Sequence, residues 1–519
     1  MPIPALAASG LLQACLALGA TAPDAAVPVW VFFAEDRAMP ASLADTALTP
    51  RALERRAKRR TLPGLFDRAD VPVAAAHSEA VAGTGASVRA RSRWLNAVSA
   101  MATPEQRKAL AALPGVTHVE LVGRGRSGWS DERMVPPPEG WGSATDYGAS
   151  IDQLRQIELP RLHSWGMTGQ GMVIGVLDSG FNKVHESFTN PAHPLRLIAE
   201  WDFINNDGNT GPELGDDPNQ HKHGTWILGT LAAYLPGTLV GGAFDAEYVL
   251  AKTENVPTET QIEEDWYVAG LEFVELHGAD VATSSLGYID WYTQADLNGT
   301  TAVTTVAVNT ATANGMVCVT AAGNDGHDAN PATSSIIAPA DAFNVITCGA
   351  ADLGGNIAGF SSSGPTADGR LKPELTACGV ATVTVHSTNT TGLSAVSGTS
   401  LSTPLVAAAC ACILQARPDY GVASLREALF ATASRSDAAG LHPDPLFVEG
   451  HGLVRAFGAA TRGRSFADLN LDGRVSGADL GILLGEWGKT GEPGMVYGDL
   501  SGDGAVTGAD AGLLLGAWG

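Results

Sequence analysis

Four short stretches of this 519-residue chain hold side chains suited to attack on a carbonyl carbon: Leu177-Asp178-Ser179-Gly180, His223-Gly224-Thr225, Gly323-Asn324-Asp325-Gly326 and Gly398-Thr399-Ser400-Leu401-Ser402-Thr403-Pro404. A serine hydroxyl is a weak nucleophile at neutral pH until a neighbouring base takes its proton. Histidine suits that task because it titrates near working pH. A carboxylate can fix the imidazole tautomer, and an amide can carry the oxyanion that forms. Each stretch alone also has a plainer reading. Asp178 and Asn324 sit in ordinary turns, His223 heads an apolar segment as a cap would, and Ser or Thr before an apolar run is a common helix N-cap.

The serine stretch is the most specific of the four. Residues 405–414 are apolar on every face, which predicts a helix buried all round. Pro404 stands where a first-turn proline belongs. The turn at Gly398-Thr399-Ser400 then places a hydroxyl at the positive end of that helix, beside N–H groups able to hold an anion.

Such groups need a scaffold. Short, mostly apolar runs at 172–177, 248–252, 280–284, 316–321 and 344–349 alternate with helical segments, which predicts a mostly parallel sheet buried on both faces. In sheets of this kind active groups gather on loops at the carboxyl ends of strands, where these motifs fall.

Together, Asp178, His223, Asn324 and Ser400, with FSSSGP at 360–365 and GHGLVRA at 450–456, resemble the subtilisin-like serine protease family (peptidase S8) over residues 148–461. The order Asp, His, Ser is the subtilisin order. The resemblance implies a subtilisin-like α/β fold and an endopeptidase acting on proteins or peptides, with no cofactor needed for the chemistry. Ser400 would attack, His223 would carry the proton, Asp178 would orient the imidazole, and the Asn324 amide with the Ser400 N–H would hold the oxyanion. Ser285, Leu286 and Gly287 look like the family segment that pairs with substrate backbone. A catalytically dead scaffold would have lost one of these groups, and none is lost. An esterase gains no support, because the serine motif is Gly-Thr-Ser rather than a Gly-x-Ser-x-Gly elbow. Glu263, Glu264 and Asp265 read as acids in a helix's first turn, or as a subsite for basic substrates.

The N-terminal part differs in texture. Residues 1–22 read as a secretory signal ending in Ala20-Thr21-Ala22, although a basic start is lacking. Leu12-Gln13-Ala14-Cys15 loosely imitates a lipoprotein box. The expected location is secreted or cell-surface. Residues 23–126 carry 15 Lys and Arg against 10 Asp and Glu, so this stretch is +5 and the remainder −28. Its basic run at 51–60 could be a solvated face or a nucleic-acid contact; clamping onto the acidic remainder explains it better. Strands at 27–33, 86–98 and 116–122 with helices at 50–60 and 104–113 predict a small α+β sandwich. It resembles the inhibitory propeptide of secreted subtilases, with Arg91-Ser-Arg-Trp-Leu-Asn-Ala-Val98 as the most recognisable part. Residues 127–147, within a Gly-, Ser- and Pro-rich stretch starting at 123, read as linker and processing region.

At the other end, a 12-residue loop recurs at an offset of 31, from Asp468 and from Asp499. Oxygen side chains occupy loop positions 1, 3, 5, 9 and 12, at Asp468, Asn470, Asp472, Ser476 and Asp479, then at Asp499, Ser501, Asp503, Thr507 and Asp510, with Arg474 and Ala505 at the position that ligates such an ion through its backbone carbonyl. That pattern suits calcium in an all-α, EF-hand-like pair; a solvated Asp/Gly turn is the plainer alternative. Residues 462–519 resemble a dockerin, which implies a cohesin-like scaffold as partner. The small Gly477-Ala478 and Gly508-Ala509 leave a surface anchor or sorting tail as another use.

Composition narrows the rest. A net charge of −23 disfavours nucleic acid as a partner, and no stretch reads as a membrane span. Of six cysteines, five remain beyond the signal, an odd number that argues against a disulfide framework. Cys410 and Cys412 should diverge on a helix, whereas a Cys318–Cys348 bridge between neighbouring strands stays open.

Overall fold

The computed structural model describes residues 25–122, 124–125, 147–256, 262–289, 292–437, 439–493 and 495–519. The expected signal and most of the linker lie outside these residues. At the centre are seven parallel strands in the spatial order Leu375–Cys378, Ile346–Ala351, Val317–Ala321, Val281–Ser284, Val173–Asp178, Glu247–Lys252, Leu197–Asp202. Every residue of Val173–Asp178 is buried, because helices cover both faces and no alternation with solvent is needed. The winding reverses beside this strand, and its carboxyl end opens onto the crevice where such sheets bind ligands. Asp178 stands at that end.

Helix Thr399–Ala416 crosses one face with Lys222–Ala232 and Ala456–Thr461, while Glu264–Leu276 and Val303–Ala313 cover the other. Leu405, Val406, Ile413 and Leu414 are fully buried, each contributing about 1.5–3 kcal/mol relative to exposure. Length and composition would let this helix cross a membrane, but its burial in the core accounts for its character. Pro404 corrects the expectation from sequence: it lies within the helix rather than in the first turn. All five described cysteines are free and buried. Cys318 pairs across the sheet with Ala282 and Cys348 with Ala321, so the register sets them apart and no bridge joins them.

Residues 25–122 form an antiparallel sheet in which Val27–Phe33 lies between Ala97–Ala102 and Val116–Leu121, with Ser87–Ser92 on the edge. The single strand expected over 86–98 is two strands joined by a turn. Asn96 makes the turn with a left-handed φ of 48°, and its amide donates to Ala34 O at 2.9 Å.

Helix Pro50–Arg59 is no solvated face. Arg55 and Arg56 bond to Glu275, Arg51 and Arg59 to Asp280, and Arg93 reaches Glu275 at 2.7 Å. The contact is close enough to require glycine: a methyl group on Gly278 would lie 2.4 Å from Arg51 Cγ. Burial alone would raise the Glu275 carboxyl, yet Arg55, Arg56 and Arg93 together hold it down to about 2. Removing one partner of such a buried network leaves a charge uncompensated, at a cost of about 3–5 kcal/mol.

Near the C-terminus, helices Gly477–Gly485 and Gly508–Gly516 pack on one another. Each opens with a capping box, Ser476 with Asp479 and Thr507 with Asp510. The two preceding loops repeat one pattern. Asp468 accepts the Gly473 N–H at 2.8 Å and Asp499 the Gly504 N–H at 2.8 Å, which folds each loop back around its first acid.

Candidate active site

Three loops and one helix mouth meet at the carboxyl end of Val173–Asp178. His223 lies in the first turn of Lys222–Ala232, and its Nδ1 stands 2.8 Å from Asp178 Oδ1, with both residues buried. The same oxygen accepts the Ser179 N–H at 2.7 Å and the Ser179 hydroxyl at 3.2 Å. Hydrogen bonds to a charged acceptor are the stronger kind, so the carboxylate is held in place. The approach of this helix depends on glycine, because a methyl group on Gly224 would lie 2.3 Å from Gly180 O and 3.1 Å from Asp178 Oδ1.

Ser400 is the second residue of helix Thr399–Ala416, and its hydroxyl, like the Asn324 amide, borders the space beside Gly398. A methyl group there would sit 2.7 Å from Ser400 Oγ and 3.8 Å from Asn324 Nδ2. Asn324 is oriented by Thr399, whose N–H and hydroxyl donate to Asn324 Oδ1 at 2.9 and 3.0 Å. With its oxygen engaged, the amide presents its N–H groups elsewhere. Pro404 lacks the N–H that would pair with the Ser400 carbonyl, and the Ser285 hydroxyl donates to that oxygen at 2.9 Å.

Sequence reasoning singled out 285–287 but not the way they are placed. Leu286 is packed into the core, and a methyl on Gly287 would overlap Ile337, so only backbone is left there to meet an extended chain. One pairing was missed: Ile262–Glu263 pairs antiparallel with Arg124–Gly125. The following helix begins at Glu264, so Glu263 falls outside its first turn. Asp265 is buried and bound by Arg89 Nε at 2.8 Å, an arrangement that occupies the supposed basic subsite with a residue of the same chain.

Glu254 is a further residue that went unnoticed. An oxygen of its carboxylate, one of Asp178 and a ring nitrogen of His223 all lie within 4.8 Å of one another, and all three residues are buried. Gln220 fastens the two loops concerned, donating to Ser179 O at 2.6 Å and accepting the Val256 N–H at 3.0 Å. The available signal was position alone, since Glu254 closely follows strand Glu247–Lys252 at the carboxyl edge of the sheet.

As for metals, the described residues bring together one other group of acids, Asp202, Asp207 and Glu213, again within 4.8 Å. Lys252 pairs with Asp202 at 2.8 Å, and the Ile204 and Asn205 N–H groups already donate to it. The carboxylates expected to bind calcium, Asp468, Asp472 and Asp479 with Asp499, Asp503 and Asp510, are not gathered in this way. Asp479 and Asp510 instead accept backbone N–H groups of their own loops, from Leu469 at 2.8 Å and Ser501 at 2.8 Å.

This fold and crevice define a subtilase. Residues 169–459 match the model of the subtilase family, and residues 28–132 match a peptidase S8 propeptide domain of Bacteroidota. The chain belongs to the subtilase family and is a serine endopeptidase with an N-terminal propeptide. Among similar proteins, subtilisin E of Bacillus subtilis (strain 168) is 28% identical over 377 residues, covering 72% of this chain and 84% of that protein. Subtilisin of Bacillus pumilus is 31% identical over 312 residues, covering 59% of this chain and 97% of the other. A crystal structure of fervidolysin from Fervidobacterium pennivorans, described as a keratinolytic enzyme related to subtilisin, matches with a TM-score of 0.59 at 20% identity. That match covers 84% of this chain and 61% of fervidolysin, a likeness of fold.

Proposed function

We propose that Asp178, His223 and Ser400 act as a triad in peptide-bond hydrolysis. Ser400 Oγ attacks the carbonyl carbon while His223 takes its proton and then gives it to the leaving amine. Asp178, bonded to Nδ1, fixes the tautomer so that Nε2 exchanges the proton, and it stabilises the imidazolium. The Asn324 amide and the Ser400 N–H hold the oxyanion. The observation that carries this reading is the buried 2.8 Å contact between His223 Nδ1 and Asp178 Oδ1, set beside a serine at the mouth of a buried helix. Treatment with phenylmethylsulfonyl fluoride tests it. One sulfonyl group should attach at Ser400, and His223→Ala should suppress the labelling; labelling elsewhere contradicts the assignment.

The segment 23–126 acts in this reading as inhibitor and folding aid, released by cleavage within 123–147. The arginines on Glu275 and Asp280 support it, as does the pairing of Arg124–Gly125 with Ile262–Glu263, which lays the chain along the wall a substrate would use. Ser285, Leu286 and Gly287 form the opposite wall through their backbone.

Residues 462–519 serve as a calcium-dependent attachment module of a secreted enzyme, with a cohesin-like scaffold or a surface component as partner. Calcium is held by Asp468, Asn470, Asp472, Arg474 O and Asp479, and again by Asp499, Ser501, Asp503, Ala505 O and Asp510. Support comes from a duplicated apolar surface: Leu484 and Trp487 are 56% and 50% exposed, and their repeat mates Leu515 and Trp518 57% and 48%. Exposed apolar groups in matched pairs fit a partner surface.

A further inference from the structure

A second cavity, of about 190 Å³, lies where the chain enters strand Leu375–Cys378. By the same measure one water needs roughly 10–15 Å³, so there is room for a polyatomic ion. The far end of the strand leads to Gly379, whose carbonyl accepts the Gly398 N–H at 2.8 Å beside Ser400. The cavity is therefore separated from the crevice by a strand of about 13 Å.

Its lining is rich in cations. Lys372 Nζ donates to Glu374 Oε1 at 2.7 Å, and Arg426 donates to the same oxygen at 2.9 Å. Arg370 completes the set, its Nε on Asp368 at 2.8 Å and its Nη1 on Ala342 O at 3.2 Å. Three cations thus meet one buried carboxylate, Glu374, and one half-exposed carboxylate, Asp368, in a chain of net charge −23. Burial pushes the Lys372 ammonium down, and Arg426 and Arg370 add to this against the pull of Glu374, to about 8.

Hydrogen-bonding capacity is also left over. Among the described residues Arg370 Nη2, Arg426 Nε and His451 Nδ1 are buried with no hydrogen-bond partner, and His451 is only 8% exposed. Buried polar groups are nearly always satisfied. Aromatic rings hold these groups in position: Arg370 lies 4.5 Å over Phe343, Arg426 5.2 Å over Phe430, and His451 stacks on Phe430 at 4.5 Å.

We propose that this cavity binds a small tetrahedral oxyanion of the phosphate type, held by Arg370, Arg426 and His451 beside the charge of Lys372, whose three N–H groups already donate to Glu374, Thr347 and Val345. The anion would balance the surplus cation and accept from the unused guanidinium donors, in the charge-assisted manner that makes guanidinium a good oxyanion binder, while His451, kept neutral by burial, would donate from Nδ1 as that tautomer. Its site lies apart from the substrate crevice.

Calorimetry with inorganic phosphate on the full chain carrying Ser400→Ala, which cannot digest itself, tests the proposal. One saturable site is expected, with no such signal from sodium chloride at matched ionic strength. Arg426→Gln should weaken binding at least tenfold. Arg370→Gln, on a partly exposed side chain, should do the same and stands in if the first variant does not fold. Absence of saturable heat, or an affinity unchanged in the folded variants, overturns the assignment.

Discussion

The Ser285 hydroxyl donates to the Ser400 carbonyl at 2.9 Å and so stands in for the N–H that Pro404 cannot supply. In a regular helix that carbonyl would bond to the residue four places on. Proline at 404 releases it, and the segment 285–287 takes it up. The mouth of the helix that carries the proposed nucleophile is thereby tied to one wall of the proposed substrate groove.

Removing this tie should loosen catalysis without abolishing it. For Ser285→Ala we expect kcat to fall roughly two- to tenfold with KM little changed, the effect of losing one hydrogen bond of about 0.5–1.5 kcal/mol. Pro404→Ala, which restores the helical N–H, should compete with Ser285 for the carbonyl and lower kcat in the same direction. Steady-state kinetics on a chromogenic peptide, normalised by active-site titration, measures both; a Ser285→Ala enzyme with unchanged kcat means that the tie is without catalytic effect.

Asn324 has its oxygen fixed by Thr399, and in the proposed mechanism its amide donates to the oxyanion. For Asn324→Ala a kcat loss of roughly 10²–10³ with KM near normal is expected, the magnitude known for the corresponding donor of a subtilisin. A loss confined to KM would instead mean that the amide contributes to ground-state binding alone.

Docking of the propeptide should weaken in acid. Glu275 is held down to about 2 when docked, against an ordinary 4.5. A depressed carboxyl contributes fully above its ordinary pKa, and its contribution is lost as pH falls from about 4.5 towards 2. Glu272 works the opposite way, since burial raises it against the pull of Arg93. Comparison with Glu275→Gln therefore isolates the effect. Inhibition of the mature enzyme by added propeptide should lose about tenfold per pH unit more in wild type than in the variant over this interval, and equal pH profiles would count against the arginine network.

Calcium should organise the C-terminal loops. Titration of residues 462–519 should show two bound ions, with Asp468→Ala and Asp499→Ala each removing one. Helicity that is the same with calcium and with chelator, together with no heat of binding, would remove the metal from the picture.

How far the sequence carried can be read from particular residues. Asp178, His223, Asn324 and Ser400 stood out only as a set, through their resemblance to subtilisin-like motifs, while the continuous apolar strands made legible the parallel sheet whose carboxyl ends lie close by. Pro404 was placed in the wrong turn, because first-turn and interior prolines differ only in whether the carbonyl four residues earlier finds another donor, and Ser285 lies 115 residues away. Glu254 was invisible for a related reason: its nearness to His223 comes from sheet order, in which strand Glu247–Lys252 inserts beside Val173–Asp178 after the chain has visited the edge. The basic run at 51–60 showed its charge but not its burial, which depends on Gly278 allowing the helix to approach. The turn at Asn96 was hidden because apolar alternation continues on both sides of it.

The decisive measurement is a casein zymogram of the protein freed of its propeptide beside Ser400→Ala prepared in the same way. Wild type should clear the gel, and the variant should show no clearing at equal loading, with activity reduced by about 10⁶ if triad members act as one unit. Clearing by Ser400→Ala at the wild-type rate would contradict the assignment of this hydroxyl as the nucleophile.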